Sequence, residues 1–298
     1  MTAAGYMTHF VGKWHVGHAS RRQLPSARGY STSLAYFNAQ NDLWTYRAVD
    51  GICSPNLHTN LLTDLWQHNT ITSTDGPAVA LKSSSTCASS QKNCLYGDDL
   101  CQQRASQVIL SHNPKRRWFL VYAPHAIHSP LQPPTARLQE FAFINDNEAR
   151  RNYAATLADI DTRIGTIIQN LKSKKMWGSA LIVVMSDNGG PISSAGGASN
   201  YPLRSGKYSN FEGGTRANAF VSGGYLPKGR RGAVATGLVA VEDWYGTFCA
   251  LAGQDPSDKK ASAAGLPPVD SINMWPYLSG QVAASPRKEI IYSAAGFI

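Results

Sequence analysis

Two short, almost wholly apolar runs separated by a long amphipathic stretch constrain this chain more than anything else in its sequence. Trp118-Phe-Leu-Val-Tyr-Ala123 lies between Arg117 and Pro124, and Ala180-Leu-Ile-Val-Val-Met185 runs straight into Ser186-Asp187-Asn188-Gly189-Gly190-Pro191. Runs of this length read as strands buried on both faces. Between them Tyr153, Leu157, Ile160, Ile164, Ile167, Ile168 and Leu171 recur every three or four residues. They mark one face of a long helix that closes on the cations of Lys172-Ser-Lys-Lys175. Strand, helix and strand of these lengths predict a βαβ unit and a parallel sheet, whose ligand sites lie beyond the carboxyl ends of the strands. Both strands end in polar clusters: His125 and His128 after the first, Asp187-Asn188 after the second.

The rest of the chain is less periodic. A short strand is expected at Ala219–Ser222, a helix over Glu242–Ala252 and a last strand at Glu289–Ser293, while Met1 to about Gln91 reads as short elements joined by long loops. The fold class is α/β, with a mostly parallel central sheet flanked by helices. Hydrophobic residues at 43% can fill a sizeable core, and seven Trp, thirteen Tyr and nine Phe exclude disorder as the main state. No apolar run approaches the ~20 residues of a bilayer helix, so no membrane span is expected. The start, Met1-Thr-Ala-Ala-Gly-Tyr6, has neither a basic flank nor an apolar core and is not read as a signal peptide.

The net charge of +9 raises nucleic acid as a partner. The basic clusters, Arg21-Arg22, Lys115-Arg116-Arg117 and Lys228–Arg231, are scattered and carry no nucleic-acid motif, so none is expected to bind. Steering of a polyanionic substrate is the alternative reading of the charge. Cys87, Cys94 and Cys101 recur at intervals of seven without the paired spacing of a zinc site, and a disulfide between two of them suits a secreted protein. Cys249 reads as a core residue.

The chemistry-bearing residues are individually ordinary. Asp187 and Asn188 offer two hard oxygens at a strand end, the donors that Ca²⁺ or Mg²⁺ prefers, although such a turn is more often only a turn. Lys207 can neutralise an anion, and His128 can serve as a general acid. In Gly12-Lys13-Trp14-His15, a cation and an imidazole two residues apart can reach one anion from an extended segment.

Taken in order, the stretches G-K-W-H, H-x-P-L-Q, S-D-N-G-G-P, N-Y-P-L-R-x-G-K and E-G-G-x-R resemble the sulfatase family, in particular arylsulfatases of the arylsulfatase B kind. They stand at residues 12–15, 128–132, 186–191, 200–207 and 212–216. The resemblance implies an alkaline-phosphatase-like α/β fold and sulfuric ester hydrolysis. It implies that Asp187 and Asn188 are two ligands of one Ca²⁺, and that Lys207 and His128 contact the substrate sulfate, with His128 protonating the leaving oxygen. Lys13 and His15 would hold the nucleophile and its developing charge.

Two hallmarks of the family do not occur upstream of G-K-W-H in this sequence: the C-x-P-S-R segment, whose Cys becomes the formylglycine nucleophile, and the Asp-Asp pair that completes the metal site. In the family both precede G-K-W-H, so the resemblance implies a fragment: an incomplete catalytic domain over 1–284, lacking its first strand and nucleophile segment, and the start of a small C-terminal domain over 285–298. No residue here is assigned as nucleophile. Cys53-Ser54-Pro55-Asn56-Leu57 is read as a decoy, remote from the site. The family's H-x-x-D-W reads Ala240-Val-Glu-Asp243-Trp244. Three functions follow: a sulfatase cleaving sulfated small molecules or polysaccharides, an inactive sulfatase-like binding protein, or a phosphoester hydrolase of the same superfamily. The resemblance places the protein in the secretory pathway, the lysosome or outside the cell. Lys13, His15, His128, Asp187, Asn188 and Lys207 are expected to meet in one cleft.

Overall fold

A computed structural model gives the protein's structure over residues 1–48, 63–78, 87, 91, 94–193 and 195–292. Its centre is strand β1, Met7–Lys13, which pairs in parallel with β2, Thr32–Tyr36, on one side and with β5, Trp118–Ala123, on the other. An antiparallel hairpin, β3 Trp66–Asn69 and β4 Thr74–Pro77, extends the sheet beyond β2, giving the order β4-β3-β2-β1-β5. Because β1, β2 and β5 run the same way, Lys13, Tyr36 and Ala123 end on one edge.

The two faces of β5 show how the sheet is covered. Trp118 and Leu120 point to a cluster built from Ile109 of helix α1 (Gly97–Ser111) and from Leu171 and Ile167 of helix α3 (Glu148–Ser173). Phe119 points the opposite way and meets Phe248 of helix α5 (Asp243–Leu251), ring centroids 5.6 Å apart. This alternation is the period-two geometry of a strand. Short helices α2 (Thr135–Glu140), α4 (Glu212–Thr215), α6 (Lys259–Ala263) and α7 (Trp275–Leu278) lie in the connections. Among the described residues, no helix is long and apolar enough to cross a membrane.

The expected βαβ unit needs correction. Strand β6, Ile182–Met185, does not pair with β5; it pairs antiparallel with β7, Ala219–Ser222, in a separate two-stranded sheet. Helix α3 nevertheless connects the two, and Ile182 rests on the same Ile109–Leu171–Met176 cluster as Trp118 and Leu120. A 26-residue helix spans ~39 Å, long enough to return the chain beside the first sheet without hydrogen-bonding to it. For the same reason these strands are not buried on both faces: β5 is half-buried throughout and Met185 is exposed. The second edge of β5 has no strand partner among the described residues.

Three smaller expectations also change. Leu157 is 48% exposed, and the buried stripe of α3 runs through Thr156, Asp159, Ile160 and Arg163 instead. Arg163 lies there because it bonds both Asp159 and Asp99 of α1, which satisfies its buried guanidinium. Glu289–Tyr292 is not a strand, and Cys249 is half-buried rather than core. Cys87 and Cys94 form a disulfide, leaving Cys101 buried and free. Cys53 lies outside the described residues.

Candidate active site

The parallel strands deliver their polar ends to one edge. Lys13 closes β1, half-buried; Trp14 turns under it, packed edge-on against Phe10 and Tyr30. Gly12 has φ +112°, and a Cβ there would collide with the Ala123 carbonyl across the β1–β5 pairing, so G-K-W-H needs its glycine for close strand approach. His15 follows with φ 44° and is exposed. Its position two residues past Lys13 keeps it on the same edge.

Beyond β5 the chain turns through Pro124 and His125 to His128. The turn is closed by His128 N–H donating to the His125 carbonyl at 3.0 Å. The His128 Nδ1–H donates to the Ser129 carbonyl at 2.8 Å, since a carbonyl only accepts. That fixes the tautomer of the neutral ring and leaves Nε2 without the proton. Burial lowers the pKa of His128 below 6.5; Lys13 and Lys207 push the same way, while the Ser129 bond and Asp187 oppose them. The imidazole therefore senses Lys13, Lys207 and Asp187 together, and these four groups from four separate segments share one electrostatic neighbourhood. Tyr36, at the end of β2, senses Asp187 too.

His125 is the buried neighbour, its ring centroid 6.2 Å from that of His128. Burial first, then His128 and Lys13, depress its pKa to about 3, so it is neutral. Its Nε2 accepts the Asn41 N–H at 3.4 Å, so the proton sits on Nδ1. The last residue of H-x-P-L-Q has a role that the sequence does not announce. Gln132 Nε2 donates to Asp42 at 2.7 Å while its Oε1 accepts the Leu43 N–H at 2.9 Å, tying this loop to the segment after β2.

On the far side, Asp187 follows β6 and is exposed, with Asn188 half-buried. Gly189 packs so closely on α4 that a Cβ would strike the Gly213 carbonyl, and its N–H donates to Gly214 at 2.8 Å. Asn200 then bonds the next glycine from both sides. Its Oδ1 accepts the Gly190 N–H at 2.9 Å, and its Nδ2 donates to the Gly190 carbonyl at 2.8 Å and to the Ser205 carbonyl at 3.1 Å. Lys207 N–H also donates to the Gly190 carbonyl, at 3.2 Å. The Asp187 turn and the Lys207 loop are thus one hydrogen-bonded unit, bracketed by the left-handed residues Ser205 and Tyr208.

The donor set does not by itself make a Ca²⁺ site. Among the described residues no group of three or more His, Cys, Asp or Glu is placed to hold a metal. The Asn188 amide already donates to the Gly189 carbonyl, leaving its oxygen beside a single exposed carboxylate. Ca²⁺ takes six to eight oxygens. Asp187 and Asn188 supply two side-chain donors of the right hardness and no more.

These motifs and this fold recur in known proteins. The mouse (Mus musculus) protein arylsulfatase J is 32% identical over 293 residues, covering 97% of this chain and 42% of its own length. The pig (Sus scrofa) N-acetylgalactosamine-6-sulfatase is 27% identical, covering 96% of this chain and 49% of its own. The chain thus spans a little under half the length of these curated relatives. The crystal structure of Ps i-CgsB in complex with k-i-k-neocarrahexaose superimposes with a TM-score of 0.74 at 25% identity, over 96% of this chain and 57% of the other. Residues 1–254 match the family description Sulfatase, and this chain belongs to the Sulfatase family.

Proposed function

We propose that this chain carries the sulfate-binding and leaving-group side of a sulfuric ester hydrolase. The observation behind the reading is that His128 senses Lys13, Lys207 and Asp187 at once. Cleaving a sulfate ester requires its oxygens to be neutralised and a poor leaving oxygen to be protonated. Lys13 and Lys207 would meet the anionic sulfate. The same anion would offset the two lysines that hold the His128 pKa down, favouring protonation at Nε2, which the Ser129 bond leaves free. That proton would go to the leaving oxygen. His15, beside Lys13, would help hold the attacking group, which the sequence does not supply within a C-x-P-S-R segment.

Asp187 and Asn188 would give two donors to one Ca²⁺, with the remaining donors and the formylglycine nucleophile coming from outside the described residues. Substrates would be sulfated sugars or other sulfate esters, a class consistent with the net charge of +9 and with the sulfatase names of the relatives. The Cys87–Cys94 disulfide supports an oxidising destination: the secretory pathway, the lysosome or the extracellular space. A catalytically inactive binding protein is the second reading, and the missing nucleophile motif favours it for this chain on its own.

Two measurements test the proposal. Inorganic sulfate, titrated by calorimetry, should bind the purified chain, and Lys207→Ala should weaken that binding about tenfold. Hydrolysis of a chromogenic aryl sulfate should be undetectable with or without Ca²⁺. Sulfate binding that ignores Lys207 would overturn the site. Ca²⁺-dependent turnover abolished by His128→Ala would overturn the absence of a nucleophile.

A further inference from the structure

Asp98 is one of the most completely buried carboxyl groups in the protein, at 1% exposure, and no part of the proposed chemistry uses it. It sits in the first turn of α1, and each of its oxygens is aimed at the turn that follows β5. Oδ1 accepts the His125 N–H at 3.0 Å and Oδ2 accepts the Ala126 N–H at 3.2 Å. We propose that Asp98 is a positioning residue for His128, fixing from behind the turn that carries the imidazole into the cleft.

The connection runs through few bonds. Asp98 holds the amide of His125; the His125 carbonyl accepts the His128 N–H at 3.0 Å, and the His125 ring is held by Asn41. His125 is thus anchored at its amide, carbonyl and side chain, and His128 follows one turn later. The inference rests on the proposed role of His128, but the anchoring itself does not.

A carboxylate suits this position in a way that neutral residues do not. Two adjacent N–H groups point at it, and only an ionised carboxyl presents two acceptors without a donor. Asparagine would set its NH₂ against one amide, and serine would reach only one. Burying the charge is costly and pushes the Asp98 pKa up to about 6. The His125 and Ala126 amides and the Arg163 guanidinium oppose that rise, and the N-terminal end of the 15-residue helix α1 adds to them, so the carboxylate is the main form at neutral pH. The groups around it are otherwise uncharged. Tyr36 of β2, Tyr96 before α1, Tyr122 of β5 and the thiol of Cys101 all have their ionisation pushed up by burial and by Asp98 itself. Asp159 of α3, paired with Arg163, is an anion that acts on it. No other described function uses this arrangement, and the neighbouring Asp99 faces Arg163 instead.

The test follows the His128 imidazole by NMR through a pH titration of the whole chain, without ligand, and then measures affinity for inorganic sulfate. Asp98→Asn and Asp98→Ser are compared with Asp99→Asn, which weakens the α1–α3 contact without touching the His125 turn. In both Asp98 variants the His128 midpoint should rise toward 6.5 as the ring loses its buried position, and sulfate should bind about tenfold more weakly. Asp99→Asn should leave both unchanged. Folded Asp98 variants with a wild-type His128 midpoint would overturn the inference. Failure of the wild-type chain to bind sulfate, with the midpoint still shifted in the variants, would instead overturn the proposed function and leave the positioning role standing.

Discussion

The Asn200 side chain provides the sharpest quantitative test of how the cleft is held together. Its amide orientation is determined by the network: Gly190 N–H needs an acceptor, while Gly190 and Ser205 carbonyls need donors. Replacement by alanine deletes three hydrogen bonds. At a net ~1 kcal/mol each, and with water able to reach this half-buried position, the loss should come to about 2 kcal/mol. The Gly190 carbonyl keeps its bond from Lys207 N–H, so the two loops stay tethered at one point. Asn200→Asp is isosteric but places an oxygen where Nδ2 faced two carbonyls. It loses two bonds and gains repulsion, and should cost about 3 kcal/mol. The physical prediction is therefore an order: wild type above alanine, alanine above aspartate. Urea denaturation followed by tryptophan fluorescence measures stability, and a sulfate titration reads the Lys207 loop. An aspartate variant as stable as wild type would refute the assigned amide orientation and the clamp with it.

Two further perturbations address the frame. His9, buried in β1 with Nδ1 2.7 Å from Thr32 Oγ1, has its pKa lowered from 6.5 to about 4, first by burial and then by His112. The unfolded chain binds this proton more tightly, so stability is fully present above pH 6.5 and is lost as pH falls toward 4, by about 3 kcal/mol; the difference between wild type and His9→Gln in urea melts should shrink by that amount across the window. Arg287 makes two 2.6 Å bonds to the wholly buried Asp243, which also accepts the Ala240 and Ile272 amides. Arg287→Ala strands that charge and should cost about 3–5 kcal/mol, and a thermal melt within a degree of wild type would count against it.

How much of this was legible in the sequence depends on whether a feature is local. Strand β5 and helix α3 announce themselves through period and composition. Strand β1, the centre of the sheet, does not, because Thr8 and His9 interrupt its apolar run. Both are buried with partners from elsewhere: Thr8 Oγ1 donates to the Gly29 carbonyl at 2.6 Å and His9 Nδ1 pairs with Thr32, while His9 Nε2 is buried without a hydrogen bond. The separation of β5 from β6 was equally invisible, since pairing is decided by where a crossover lands and not by the strands it joins. Lys13, His128, Asp187 and Lys207 could be named as candidates from motif order. Asp98 and the Asn200 clamp could not, because a side chain that bonds backbone amides gives no signal until the loops carrying those amides are folded. An Asp-Asp pair in a helix's first turn reads as ordinary dipole compensation, and nothing in the sequence shows that Asp98 also bonds the His125 and Ala126 amides while Asp99 pairs with Arg163.

Charge explains why the two histidines after β5 differ. Both follow the same strand and both lie near Lys13, yet one is buried and the other half-buried. For His125, desolvation and the neighbouring cations act in the same direction, and the neutral ring is locked by the Asn41 amide. For His128, the Ser129 carbonyl and Asp187 oppose them, while burial, Lys13 and Lys207 leave its pKa below the ordinary value. An anion arriving between Lys13 and Lys207 changes the balance at His128 far more than at the enclosed His125. The fold thus holds His125 neutral, and in the proposed reading His128 would respond to the very charge it acts on, the property a general acid at a sulfate ester requires.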